Sequence, residues 1–323
     1  MLAKRRNRRN RPARSTAPTR AKPASASGPQ PRDLAHLALL LGALALAYVL
    51  PFELFLLSYA VLGPAHYLTE ISWLHDRRYF LPHPAIAALL CLAALGAMFM
   101  ADAGRLGLLV SICFVACAIL AAGLPTRRAG LLLALAGGGF ATLAGLGVPF
   151  GLAWVLVPTV LHVSVFTLVF MLGGAIRARS PGQFLLVGAY LAGIAAILVL
   201  PPSGGTVLPG LAAIGRAYFG DLAPALGQLV GMPNLAFDGR LTGLLSFVYT
   251  YHYLNWFIKA DVIRWNAVPP RRLAAIAVLS LAATGLYFYD YAAGFMVLLL
   301  LSLIHVLLEF PLNSISLRQL VRA

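Results

Sequence analysis

Two histidines in this 323-residue chain are each followed four positions later by a glutamate, in His66-Tyr-Leu-Thr-Glu70 and His305-Val-Leu-Leu-Glu309. Residues four positions apart share one face of a helix, so each pattern predicts an imidazole and a carboxylate one turn apart. Both patterns lie in apolar stretches, where an ionisable side chain costs about 3 kcal/mol or more and usually faces the interior of a helical bundle. Imidazole and carboxylate groups bind transition metals, so the two pairs indicate a metal site.

Two further histidines, His162 and His252, lie in apolar stretches of their own. Their depths can be compared by counting forward from each histidine to the first arginine of the loop that follows. The four intervals run from His66 to Arg77, His162 to Arg177, His252 to Arg264 and His305 to Arg318. They are 11, 15, 12 and 13 residues long, so at about 1.5 Å per helical residue the imidazoles lie at similar depths. The sequence therefore predicts one metal centre, and the predicted ligands are His66, Glu70, His162, His252, His305 and Glu309.

Other polar side chains lie near these six in the sequence. The candidates for weaker ligands, or for groups that hydrogen-bond the ligands, are Tyr251, Asn255, His75, Asp76, His83 and Asn313. Soluble bundles hold di-iron and di-manganese centres with inward-facing glutamates and histidines, but there the usual spacing is Glu-x-x-His. The order and spacing differ here, so the centre is predicted from residue chemistry and not from a motif. No catalytic residue is assigned.

Iron, as one or two ions, is the metal that best suits mixed imidazole and carboxylate ligands, while zinc, manganese and copper remain open. Haem is an alternative because paired histidines on neighbouring helices bind it, but haem leaves the two glutamates without a role. A hydrogen-bonded structural role is the main alternative for His162 taken alone. For His75 and His83, which border water, the main alternative is a solvated surface position.

The composition is that of a polytopic membrane protein, with 60% hydrophobic residues, 11% charged residues and a mean hydropathy of +0.85. We predict an all-α bundle of about ten transmembrane helices in a single domain over 34–323. The predicted spans are 35–50, 52–74, 84–101, 106–124, 129–146, 149–174, 183–200, 241–260, 273–290 and 293–312. The long outer loop 201–240 is predicted to contain short helices at 208–218 and 222–230.

The basic residues predict the orientation. With both termini inside, 22 of the 25 Lys and Arg residues fall in the amino-terminal tail or in inner loops, and only Arg105, Arg216 and Arg240 fall outside. This distribution indicates cytoplasmic termini in a bacterial inner membrane and not a nucleic-acid-binding surface. The tail, residues 1–33, is rich in Arg, Pro, Ser and Ala. We expect it to be disordered and attracted to anionic lipid headgroups.

Histidines that are spread over several spans and face the cytoplasm resemble the plan of membrane non-haem iron enzymes such as fatty-acid desaturases and hydroxylases. In size and hydrophobicity the chain is similar to the bacterial membrane β-carotene dioxygenase family. The resemblance depends on the placement of His66, His162, His252 and His305. It implies iron, dioxygen chemistry and a lipid or isoprenoid substrate, and an electron donor remains open as a further partner.

The sequence thus predicts a metal-dependent membrane oxidoreductase that acts on a lipid or isoprenoid at a cytoplasm-side centre. One alternative is a transporter in which the same histidines and glutamates bind a metal ion or relay protons. Another is a haem-binding or structural membrane subunit. A transporter should carry polar residues towards both faces, but the outer halves of the four histidine-bearing spans hold only Glu53 and scattered hydroxyl groups. This distribution favours a site that is reached from one face of the membrane over a transport path through it.

Overall fold

A computed structural model describes residues 31–100, 103–146, 162–204, 206–219 and 238–323. Within these ranges the chain is 85% helical and contains no strand, so the predicted all-α fold is confirmed. The α-helices are Pro31–Val49, Glu53–Leu57, Gly63–His75, Pro84–Ala97, Ala103–Leu120, Thr126–Gly145, Thr167–Ala178, Pro181–Val199, Pro209–Phe219, Gly239–Ile258, Ala260–Ile263, Pro270–Tyr289 and Tyr291–Val321. Ser58–Leu62 and His162–Phe166 are π-helical, and Arg78–Phe80 is a short 3₁₀ turn.

The ends of several helices follow from their local sequence. Pro84, Pro181 and Pro270 stand in the first turn of their helices, where the missing N–H costs nothing and the fixed φ angle suits the helix. Asp238 and Asp290 act as N-caps, because their side chains accept hydrogen bonds from backbone N–H groups of the first turn. These residues separate the apolar stretches into distinct helices.

Among the described residues, five helices are long and apolar enough to cross a membrane, and they indicate a membrane protein. They are Pro31–Val49, Thr126–Gly145, Pro181–Val199, Pro270–Tyr289 and Tyr291–Val321. Their outward faces carry exposed large side chains such as Leu131, Leu281 and Phe288, as expected where lipid covers the surface. Other predicted spans coincide with helices that are shorter or less apolar, and much of the predicted span 149–174 lies outside the described residues.

The amino-terminal helix begins at Pro31, slightly before the predicted end of the tail at residue 33, and residues 1–30 lie outside the described part of the chain. In the long connection 201–240 the helix Pro209–Phe219 stands almost where the helix 208–218 is predicted. The second predicted helix of that connection, 222–230, lies outside the described residues.

Two hydrophobic clusters form the core, and two helices join them. The first cluster includes Tyr67 and Leu298, and the second includes Leu74 and Leu307. Tyr67 and Leu74 belong to the helix Gly63–His75, which we call the His66 helix. Leu298 and Leu307 belong to Tyr291–Val321, the His305 helix. Because both helices pass from one cluster to the other, their polar side chains lie where the two clusters meet.

Aromatic rings pack together at one end of the described part of the bundle. Phe55 makes edge-to-face contacts with Phe219 and Tyr249, at ring-centroid distances of 5.4 and 5.0 Å, and Phe219 contacts Phe295 at 5.7 Å. Next to this aromatic cluster, Glu53 Oε1 accepts hydrogen bonds from the backbone N–H groups of residues 207 and 208, at 2.6 and 2.7 Å. The aromatic cluster and Glu53 thus fix the connection that follows residue 200 to this end of the bundle.

Candidate metal centre

Four helical segments supply the four histidines. His66 lies in the first turn of the His66 helix, and His305 lies in the middle of the His305 helix. His252 belongs to Gly239–Ile258, the His252 helix, and His162 is the first residue of the π-helical segment His162–Phe166. A second π-helical segment, Ser58–Leu62, ends just before the His66 helix. Such π-helical turns occur frequently at functional sites, because they re-aim side chains within a helix.

The four imidazoles meet in the interior. Nε2 of His66 lies 3.0 Å from Nε2 of His252, and Nε2 of His305 lies 3.2 Å from Nε2 of His162. The ring centroids of His162 and His252 are 4.8 Å apart, and those of His66 and His305 are 5.4 Å apart. One nitrogen from each ring lies within 4.8 Å of all the others. The structure therefore brings together all four histidines whose depths the sequence relates.

These separations have the dimensions of a coordination sphere. Ligand nitrogens about 2.1 Å from an ion lie about 3 Å apart when they are at right angles and about 4.2 Å apart when they are opposite. The Nε2 separations of 3.0 and 3.2 Å match the first arrangement. Without an ion, each pair would be a hydrogen bond from one protonated nitrogen to one unprotonated nitrogen. Metal analysis separates these two states.

Both predicted glutamates join the four histidines. Glu70 Oε2 lies 3.1 Å from His66 Nε2, and Glu309 Oε2 lies 2.9 Å from His162 Nδ1. The second contact lacks the angle of a hydrogen bond, so both of its atoms are buried without a hydrogen-bond partner among the described residues. Glu70, His305 and Glu309 each offer a ligand atom within 4.8 Å of the others. His305 therefore belongs to both groups, and the six side chains could surround one ion or two neighbouring ions.

The two carboxyl groups also lie close together, with an oxygen of one within 4.8 Å of an oxygen of the other. Glu70 and Glu309 are each only 2% exposed, and two ionised carboxylates this close inside an apolar bundle would repel strongly. A proton or a cation between them would relieve this repulsion. A divalent cation would neutralise both carboxylates, which removes most of the cost of burying them.

Neighbouring side chains hold the imidazoles in place. Thr167 Oγ1 lies 2.7 Å from His252 Nδ1, and this contact turns the opposite nitrogen of His252 towards the centre. The Tyr67 ring stacks on His305 at a centroid distance of 4.4 Å, and its hydroxyl oxygen lies 2.6 Å from that of Tyr253. Each of these contacts limits the rotation of a ring that faces the centre.

Three of the six predicted neighbouring residues are buried near the site. Tyr251 and Asn255 are buried and line the same cavity as His252. Asn313 is fully buried one turn after Glu309, and both polar atoms of its amide have no hydrogen-bond partner among the described residues. An amide buried in this way is a candidate for a further ligand or for a hydrogen bond to one.

The structure does not bring the other three to the centre. His75 is exposed at the end of the His66 helix, and its Nδ1 lies 3.3 Å from the Tyr79 hydroxyl. Asp76 forms an ion pair with Arg272 at 2.6 Å. His83 accepts a hydrogen bond from a backbone N–H at the start of the helix Pro84–Ala97. These contacts account for the three residues as surface and capping groups.

A cavity of about 700 Å³ leads away from the centre. The residues of the His252 helix that line the cavity lie between Tyr251 and Lys259. On the other three helices, too, the lining residues lie between the histidine and the carboxyl-terminal end of the helix. The lining residues on those helices are His66, Glu70, Trp73, Thr167, Phe170, Met171, Gly174, Arg177, Ala178, Glu309, Leu312, Ser316 and Gln319. The aromatic cluster stands on the opposite side of the histidines. The cavity therefore approaches the centre from one end of the bundle.

Sequence reasoning missed two parts of this site. One is Thr167, which follows His162 by five positions and would lie off its face on a regular α-helix. The segment His162–Phe166 is π-helical, with hydrogen bonds that span five residues, so the two side chains both reach His252. The other is the basic mouth of the cavity, where Arg177 and Lys259 come from helices distant in sequence.

Comparison of the chain with protein-family models finds no match, and comparisons with curated proteins and with solved structures find none either. No activity, substrate or metal is therefore transferred from a relative. The function has to be argued from the buried ligand set, the cavity and the apolar helices.

Proposed function

We propose that this protein is a membrane-embedded non-haem iron enzyme that uses dioxygen to oxidise a lipid or an isoprenoid. The observation that carries the proposal is the meeting of four imidazoles, together with two carboxylates that lie beside His305, within distances that suit metal ligands and at the base of a cavity. Burial of these ionisable side chains inside an apolar bundle costs free energy, which indicates that they have a function.

Iron is favoured over the other metals by the mixture of ligands and by the proposed reaction. Imidazole suits zinc, copper and iron, carboxylates are harder ligands, and iron accepts both. Bound iron would supply the dioxygen chemistry, while the protein provides ligand geometry and a dry pocket. Haem is disfavoured because four imidazoles within 4.8 Å of one another leave no room for a porphyrin between any two of them.

Two reaction types are consistent with the site, and they differ in their need for electrons. Cleavage of a carbon–carbon double bond by dioxygen gives two carbonyl groups and balances without a reductant. Hydroxylation inserts one oxygen atom and reduces the other to water, so it consumes two protons and two electrons from an electron donor. Trp73, Phe170 and Trp256 line the cavity and would hold an apolar chain beside the centre while excluding water.

The arrangement of the cavity supports an enzyme over a transporter. A transporter needs a path for its ion to both ends of the bundle. Here the polar lining extends from the centre towards the carboxyl-terminal ends of the four helices, and Phe55, Phe219 and Tyr249 pack at the other end. In the part of the chain that the structure describes, the cavity therefore reaches the centre from one side, as expected of a site where a substrate enters and a product leaves by the same route.

We propose a topology of ten spans with both termini in the cytoplasm of a bacterium, in its inner membrane. The helical segments that precede and follow the five long apolar helices supply the additional spans. Arg177, Lys259 and Arg318 lie towards the end of the bundle at which the cavity opens, and the positive-inside rule assigns that end to the cytoplasm. The basic segment 1–30 would then contact anionic lipid headgroups from the same side.

The experiment that tests the proposal is metal analysis of the detergent-purified protein, together with its visible spectrum. We expect one or two iron ions per chain and no Soret band. The variants His162→Ala and Glu309→Ala should lose the iron while they remain monodisperse. The matched control is His83→Ala, which removes an exposed histidine outside the centre and should retain the iron. A wild-type protein that binds no metal even after supplementation with iron, zinc, manganese or copper would overturn the proposal.

A further inference from the structure

The mouth of the cavity carries more positive than negative charge. Three basic side chains line it, and Arg32 is neutralised because it forms an ion pair with Asp261. Arg177 and Lys259 form no ion pair among the described residues. Two positive charges in the cavity lining therefore have no anionic partner in the described part of the chain.

One acidic residue, Asp33, also lines the mouth of the cavity. Its carboxylate lies against Gly182, so closely that a Cβ atom at that position would clash with it. Gly182 is in the first turn of the helix Pro181–Val199, and the amino-terminal end of a helix attracts a carboxylate. The carboxylate of Asp33 therefore lies at the start of that helix.

The opposite charge lies at the far end of the cavity. Glu70 and Glu309 line its base beside the histidines, whereas Arg177 and Lys259 line its outer part. Lys259 follows His252 by seven positions, which is about 10 Å along a helix. Between these two levels the lining is mainly apolar, and it includes Met171. The cavity is thus positive at its mouth and apolar in its middle, with the candidate metal centre at its base.

We propose that this cavity binds an amphiphile with an anionic headgroup, a carboxylate or a phosphate, and that Arg177 and Lys259 bind the headgroup. The apolar chain then runs inwards past Trp73, Phe170 and Trp256 towards the centre. Guanidinium and ammonium groups bind carboxylate and phosphate oxygens through charge-assisted hydrogen bonds. The binding of the headgroup stands by itself, while oxidation of the chain at the base rests on the proposed function. The proposal narrows the substrate class from any lipid or isoprenoid to acidic amphiphiles.

Tryptophans in the cavity wall provide a direct test. We would titrate detergent-purified protein with chain-brominated amphiphiles of equal length that carry a carboxylate, a phosphate monoester or a hydroxyl headgroup, and follow the quenching of tryptophan fluorescence. We expect the two acidic compounds to bind at least about tenfold more tightly than the alcohol, because only an acidic headgroup makes charge-assisted hydrogen bonds with Arg177 and Lys259. The variants Arg177→Gln and Lys259→Gln should each reduce this preference.

Matched controls come from basic residues outside the cavity. Arg179→Gln and Arg271→Gln remove exposed arginines from the same end of the bundle, and we expect the full preference for acidic compounds in both. Equal affinity for the acid and the alcohol would overturn the proposal, as would an equal loss of preference in the control variants. Displacement of the acids by millimolar inorganic phosphate would also overturn it, because the site would then recognise a soluble anion and not an amphiphile.

Metal analysis of the same preparations separates this inference from the proposed function. We expect Arg177→Gln and Lys259→Gln to retain the metal content of the wild type, because neither residue is in the ligand set. A wild-type protein that prefers acidic amphiphiles but holds no metal would support the anionic-headgroup site and overturn the iron enzyme. A wild-type protein that holds iron but binds the acids and the alcohol equally would support the iron centre and overturn the anionic-headgroup site.

Discussion

Nε2 of His66 and Nε2 of His252 lie 3.0 Å apart, although 186 positions separate the two residues in the chain. Thr167 contacts Nδ1 of His252 and so turns Nε2 of that ring towards the centre. Nε2 of His66 also contacts Glu70, whereas Nδ1 of His66 has no hydrogen-bond partner among the described residues. The two rings therefore meet through their Nε2 atoms, and a neighbouring side chain orients His252. Such support is what a metal centre needs, since ligands that already face one another lose little conformational freedom when an ion binds.

Replacement of Thr167 with valine tests this support with little change of shape. We expect Thr167→Val to weaken iron affinity by about 10- to 100-fold, since the loss of a group that orients a histidine ligand typically has this effect. The affinity can be measured by competition with a chelator of known strength. Thr142→Val is the matched control, because Thr142 is exposed and its hydroxyl bonds only to its own helix. Equal affinity in both variants would contradict the role assigned to Thr167.

Replacement of Glu309 with glutamine tests whether the carboxylates bind metal. Glutamine keeps the shape but removes the charge, so we expect Glu309→Gln to lose most of the bound iron. The control is Glu53→Gln, which changes the other buried glutamate that lies away from the centre. Glu53 Oε1 accepts hydrogen bonds from two backbone N–H groups at 2.6 and 2.7 Å. A neutral amide oxygen accepts them more weakly, so Glu53→Gln should lower the free energy of unfolding by about 1 kcal/mol and leave the iron content unchanged. Iron retained by Glu309→Gln would exclude that carboxylate as a required ligand.

Much of the centre is predictable from sequence because helical geometry relates position to depth. Counting from each histidine to the next inner arginine predicts one common level, and the structure brings His66, His162, His252 and His305 together. This works because most of the residues between each histidine and its arginine are helical, and the four segments run in the same direction through the bundle. The interior of a membrane protein also holds few polar residues, so each one is informative.

The remaining features depend on departures from regular helices and on tertiary contacts. His75 and His83 are near His66 in sequence, but the helix ends at His75 and the chain turns through Arg78, Tyr79 and Phe80, which all have positive φ angles. This turn carries His83 to the start of another helix. The basic mouth of the cavity likewise joins helices that are distant in sequence, and no local pattern contains that information.

Removal of the metal should destabilise the protein. An ion that binds only the folded state at a free concentration 100 times its dissociation constant adds about 2.7 kcal/mol to the free energy of unfolding. We therefore expect a strong chelator to lower the unfolding temperature in detergent, and added iron to restore it. His305→Ala should show no response to the chelator, whereas His83→Ala should respond like the wild type. A wild type that is indifferent to the chelator would indicate hydrogen-bonded imidazoles in place of a metal centre.

The position of the His305 helix depends on a close helix contact at Gly294. A Cβ atom built there would clash with the backbone of Tyr287 on the preceding helix, so Gly294→Ala would push the two helices apart. We expect a loss of about 1–3 kcal/mol in the free energy of unfolding, the usual cost of overpacking.

Gly285→Ala is the control, since a Cβ atom there meets open space and alanine favours the helix by about 1 kcal/mol. Thermal unfolding in detergent should separate the two, and equal stability would show that the helices tolerate a larger separation. Because His305 and Glu309 are carried by the same helix, Gly294→Ala should also bind iron more weakly than Gly285→Ala.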